Sequence, residues 1–112
     1  MSLTLDQIVD VVEQNYKINV NTESYYPTTG IILGFVKGKI NYKEKEINIY
    51  LSDIVDETDY YTTILHEIGH AVYPKLNECC IEELAKKTLT HNPEIIEYVM
   101  ERFELPEYKK VY

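Results

Sequence analysis

The chain has 112 residues, 45% hydrophobic and 27% charged, a balance that suits one compact soluble domain and excludes a disordered or collagen-like chain. Nineteen acidic against eleven basic residues leave a formal charge of -8, which repels phosphate backbones, so nucleic acid is not an expected partner. No stretch nears the roughly 20 apolar residues of a membrane span. The opening MSLTLDQIVD also lacks the basic flank and apolar run of a signal peptide, which predicts a cytoplasmic protein without a membrane span.

The first predicted element is a helix over residues 5–16. Thr4 and Gln7 stand at capping-box spacing before it, and Leu5, Ile8, Val9 and Val12 recur at helical intervals. The polar stretch NTESYYPTTG, with Pro27 and Gly30, reads as a loop. GIILGFVKGKINYKEKEINIYLS, rich in isoleucine, valine and tyrosine, predicts three antiparallel strands within residues 30–52. The last of them alternates Ile47, Ile49 and Leu51 against Asn48 and Tyr50, so one face is expected to be covered. An acidic loop, DIVDETD, then offers Asp56 or Thr58 as the cap of a second helix over 58–73, which Pro74 stops.

Asn77 is a good cap for a third helix ending near His91, with Ile81, Leu84, Ala85, Thr88 and Leu89 on one face. Asn92 and Pro93 open a fourth, striped by Ile95, Ile96, Val99, Met100 and Phe103. The tail, 104–112, is mixed and unassigned. These elements predict an α+β fold: a single domain over 1–112 with about four helices and a small three-stranded antiparallel sheet. Cys79 and Cys80 are adjacent; a bond between neighbours is strained, so small buried or half-buried thiols are expected rather than a structural disulfide.

The segment TTILHEIGHAV carries the chemistry. On a helix advancing about 100° per residue, Ile64, Leu65, Ile68, Ala71 and Val72 gather on one side, while His66 and His70 stand one above the other elsewhere. Two histidines at that spacing are ordinary surface residues about as often as ligands. The adjoining Glu67 shifts the balance. Zinc takes imidazole nitrogens at about 2.0 to 2.1 Å, and one helical turn separates two side chains suitably for that. A glutamate one residue after the first histidine stands beside the open metal position and can take a proton from water there. Gly69, unfavourable by about 1 kcal/mol in a helix interior, implies a close neighbour.

Catalytic zinc generally takes a third protein ligand. Glu82, at the border of the third helix's apolar stripe, is the expected oxygen donor and Glu78, one turn earlier, the alternative. Cys79, Cys80 and His91 remain further candidates, the cysteines suiting a closed site rather than one that keeps a base beside an open position.

With HEIGH and a downstream glutamate helix, the chain resembles the gluzincin metallopeptidases. A finer resemblance is to the catalytic domain of the CAAX prenyl endopeptidase family, through Glu82-Glu83-Leu84-Ala85-Lys86 and Thr90-His91-Asn92-Pro93. Lys86 stands where that family has aspartate and Glu97 where it has arginine, so its substrate-contacting network does not carry over whole. As a single short domain, the chain is most similar to the minigluzincins. That resemblance, over about residues 30–103, implies a minimal zincin-like scaffold with a sheet over an active-site helix and a glutamate helix. It implies peptide or protein substrates, zinc held by His66, His70 and Glu82, Glu67 as general base and His91 as an oxyanion donor. It also implies latency through a terminal segment, and Tyr108 and Tyr112 are candidates to fill the cleft. Terminal segments also offer a route to homo-oligomers. The second expectation is a zinc-stabilised binding or regulatory domain without turnover.

Overall fold

The computed structural model describes residues 1–22 and 37–109. In chain order they form α1 (Leu5–Glu13), β1 (Lys17–Asn21), β2 (Gly38–Asn41), β3 (Glu46–Tyr50), a short 3-10 turn (Leu51–Asp53), α2 (Glu57–Val72), α3 (Glu78–His91) and α4 (Pro93–Arg102). The fold is α+β, with a three-stranded sheet laid over α2 and the helices on its other side.

The capping box at α1 forms as the spacing predicts: the Thr4 hydroxyl accepts from the Gln7 N–H at 3.3 Å and the Gln7 side chain accepts from the Thr4 N–H at 3.0 Å. The helix ends three residues before the expected 16, because Asn15 turns left-handed at φ 66° and sends the chain into β1. Its buried face is also rotated from the expected stripe. Ile8 and Val11 are buried and Leu5 is exposed.

Just before the helix, Leu3 is fully buried, and its N–H donates at 2.8 Å to the Thr88 hydroxyl, which itself donates to the Leu84 carbonyl. The N-terminal segment is thus part of the core. Leu3→Ala should cost about 3 kcal/mol through lost burial and the cavity left behind, measured as a lower urea midpoint with unchanged m-value.

The sheet departs from the prediction. Its order is β1-β3-β2, with β1 parallel and β2 antiparallel to β3, so it is mixed rather than wholly antiparallel. β2 and β3 come from the predicted region. Residues 31–36, where the first predicted strand falls, lie outside the described residues, and most of the predicted loop, 23–30, does too. Among the described residues the third strand is Lys17–Asn21, in which exposed Lys17 and Asn19 alternate with part-buried Ile18 and Val20 against the core. Its Asn19 and Asn21 amides both donate to the Asn48 side chain, at 3.4 and 3.3 Å. Fully buried Ile47 and Ile49 on β3 face the helices.

At α2, Asp56 is the cap: its carboxylate accepts from the Asp59 N–H at 2.8 Å. Tyr60, Ile64, Leu65 and Ile68 are fully buried. A Cβ added at Gly69 would stand 3.3 Å from Ile81 Cγ2. That is the close neighbour expected of this glycine, and it lets α3 pack tightly on α2. Asn77 caps α3 through the Cys80 N–H at 2.9 Å, and Ile81, Leu84, Ala85 and Thr88 form its buried face.

Cys79 and Cys80 are free, as expected, but exposed rather than half-buried: they occupy the outer side of the first turn of α3, opposite the Ile81 stripe. After α4 the chain folds back along the start of α2. The Tyr60 hydroxyl donates to the Pro106 carbonyl at 2.8 Å and the Tyr108 hydroxyl to the Ile54 carbonyl at 3.2 Å. Tyr112 lies outside the described residues. Among the described residues no helix is long and apolar enough to cross a membrane.

Candidate metal centre

A cleft of about 500 Å³ lies between β2 and α2, floored by His66, Glu67 and His70 and flanked by Glu78 and Glu82 of α3. The i, i+4 spacing on α2 stacks the two imidazoles, with ring centroids 4.8 Å apart and Nε2 atoms 3.1 Å apart. The Glu78 carboxylate faces both at once: one oxygen is 2.9 Å from His66 Nε2 and the other 2.9 Å from His70 Nε2. Glu82, one turn further along α3, reaches the opposite edge of the His66 ring, at 2.7 Å from Nδ1.

That division of labour has a chemical consequence. A carboxylate on Nδ1 accepts a proton from it, so the lone pair of the neutral ring sits on Nε2. Two imidazole nitrogens and two carboxylate oxygens then crowd one point, where electron pairs repel unless a proton or a cation lies between them. The donor set, two nitrogens and an oxygen, could hold a metal ion. The oxygen donor expected from the sequence as third ligand was Glu82, with Glu78 as the alternative. The geometry gives it the Nδ1 edge of His66 and leaves the shared Nε2 side to Glu78. Lys86, found where the resembling family has aspartate, approaches the other Glu82 oxygen at 3.6 Å.

Glu67 is 6% exposed and offers an oxygen within 4.8 Å of both imidazoles. Burial pushes its carboxyl up to about 7; nearby His66 lowers it and Glu78 raises it. Glu67 and Glu78 both lie close to the histidines, but only Glu78 meets both Nε2 atoms at bonding-contact distance, while Glu67 is held beneath β2. His70 is pushed down, first by burial, with Glu78 opposing and His66 adding, which favours the neutral ring a metal requires.

Gly38 explains how β2 comes so close. A Cβ there would meet Glu67 Cγ at 2.9 Å and Thr63 Cγ2 at 3.0 Å, so any side chain at this position displaces Glu67. Gly38→Val should overpack this contact and cost about 1 to 3 kcal/mol, measured as a lower urea midpoint with unchanged m-value.

His91, assigned an oxyanion role by resemblance, lies exposed on the last turn of α3 and does not line the cleft; Glu97 is exposed on α4. Neither described terminal segment lines the cleft, Tyr108 being packed against Tyr60 with ring centroids 5.8 Å apart. Sequence reasoning missed Lys37 and Tyr42, which do line it. Their positions depend on how β2 lies on α2, and no local spacing reports that. No protein-family model, curated protein or solved structure matches this chain, so its reading rests on the geometry of these side chains.

Proposed function

We propose that the chain is a zinc metallopeptidase of the gluzincin type, similar to the minigluzincins, with His66, His70 and Glu78 as metal ligands and Glu67 as general base. The observation that carries this reading is the convergence of both Nε2 atoms and both Glu78 oxygens on one point, with a buried carboxylate beside it. When bound, zinc supplies the acidification of water and the polarisation of a scissile carbonyl. Glu82 fixes the His66 tautomer. Glu67 takes the proton of the attacking water and passes it to the leaving amine. Its buried place within reach of both imidazoles sets it beside the water and the leaving nitrogen alike.

Peptide placement follows from the sheet. Tyr50 N–H donates to the Lys37 carbonyl at 2.9 Å, and the antiparallel alternation then turns the N–H and C=O of Gly38 and Ile40 away from β3. Among the described residues no strand pairs with that side of β2, and an extended peptide running along it would pair with them beside His66 and Glu67.

The test is digestion of an unstructured peptide library read by mass spectrometry, with 1,10-phenanthroline and with zinc restored. Cleavage that stops and returns is expected. Cleavage indifferent to the chelator contradicts the reading, and a zinc-loaded but inert protein gives the ion a purely structural role.

A further inference from the structure

The reading above leaves the tetrahedral oxyanion without a protein donor, because His91 is remote from the cleft. Most proton donors that do line the cleft are already committed. Thr62 and Thr63 donate to the carbonyls of Thr58 and Asp59 at 2.8 and 2.7 Å. Lys37 is paired with Asp59 at 3.0 Å, and Lys39 is likewise engaged. The imidazoles are occupied with Glu78, Glu82 and each other.

Tyr42 is different. It lines the cleft at the end of β2, is 44% exposed, and its hydroxyl makes no hydrogen bond with the described residues. Tyr42 directly follows Asn41, the last residue of β2, and lines the same cleft as His66, Glu67, His70 and Glu78. Its phenol is raised by burial, then by Tyr16, Glu67 and Glu78, which places it within electrostatic reach of both the base and the third ligand.

We propose that Tyr42 is a catalytic residue of this cleft, its phenol donating a hydrogen bond to the oxyanion that forms when a peptide carbonyl is attacked. The role rests on the peptidase reading for its substrate but is tested without turnover. Removing one such donor typically costs 100- to 1000-fold in kcat, and Tyr42→Phe should do so with little change in KM.

The deciding experiment is calorimetric binding of a phosphinic dipeptide, whose tetrahedral anion imitates the attacked carbonyl, to zinc-loaded wild-type and Tyr42→Phe proteins. A leucine hydroxamate, which grips metal without that tetrahedral centre, serves as control. A 10- to 100-fold loss for the phosphinate, with hydroxamate affinity, zinc content and thermal midpoint unchanged, is the expected result. Equal phosphinate affinity in the two proteins, whether measurable or absent in both, overturns the proposal, as does a parallel loss for the hydroxamate. If the phosphinate discriminates but no peptide is cut by wild type, the donor role stands and the turnover reading fails.

Discussion

On the proposed peptidase reading, Glu67→Gln should bind zinc as the wild type does and cleave peptides about 1000- to 10000-fold more slowly, the upper range for loss of a positioned acid-base group. The amide keeps the volume of the carboxyl beneath Gly38 but cannot take a proton from water. The same substitution has an independent signature in metal-free protein. The Glu67 carboxyl ordinarily titrates at 4.5 and is pushed up to about 7 in the folded chain, mainly by burial. The folded state therefore holds its proton more tightly than the unfolded state. Below about pH 4.5 the group is protonated in both states and costs nothing; as pH rises through 7 it ionises inside the fold and stability is lost. The loss amounts to about 3 kcal/mol. Wild-type and Glu67→Gln proteins should have similar denaturation midpoints near pH 4, with the variant the more stable above pH 7. Zinc should narrow that gap, since a nearby cation favours the carboxylate. A wild type that gains stability over this range relative to the variant contradicts the burial argument.

Glu78→Ala and Glu82→Ala separate the two carboxylates of α3. Losing Glu78 removes the only α3 oxygens that face both Nε2 atoms. On the proposed reading, zinc affinity should fall by more than the roughly 100-fold that losing an orienting partner costs. Losing Glu82 frees the His66 ring to rotate or change tautomer while its Nε2 stays available. Affinity should then fall only about 10- to 100-fold, the usual cost of losing a partner that orients a ligand. Competition against a chromogenic chelator measures both. Equal losses, or a larger loss for Glu82, would reverse the assignment.

The sequence revealed the helices and the histidine pair because both follow local rules. Thr4 with Gln7, Asp56 and Asn77 act on backbone groups three residues away, and His66 and His70 meet because a helical turn brings them together. The choice between Glu78 and Glu82 was of another kind. They lie one turn apart on the same side of α3, and which of them meets the Nε2 side depends on where α3 crosses α2. That crossing is set at Gly69 against Ile81, a tertiary contact. β1 was legible in principle, since Ile18 and Val20 alternate with lysine and asparagine. Five residues so close behind a helix end are too few to outweigh its periodicity, and their parallel pairing with β3 is a long-range event. The exposed cysteines illustrate the same limit: a small apolar side chain fits inside or outside a first helical turn, and only the packed neighbour decides.

The account depends on a cation seated between His66, His70 and Glu78. Calorimetric titration of zinc into metal-free protein tests it most directly. One ion per chain, bound with release of protons and lost in His70→Ala, is the predicted result. Titration without a stoichiometric site, or undiminished binding in that variant, contradicts it.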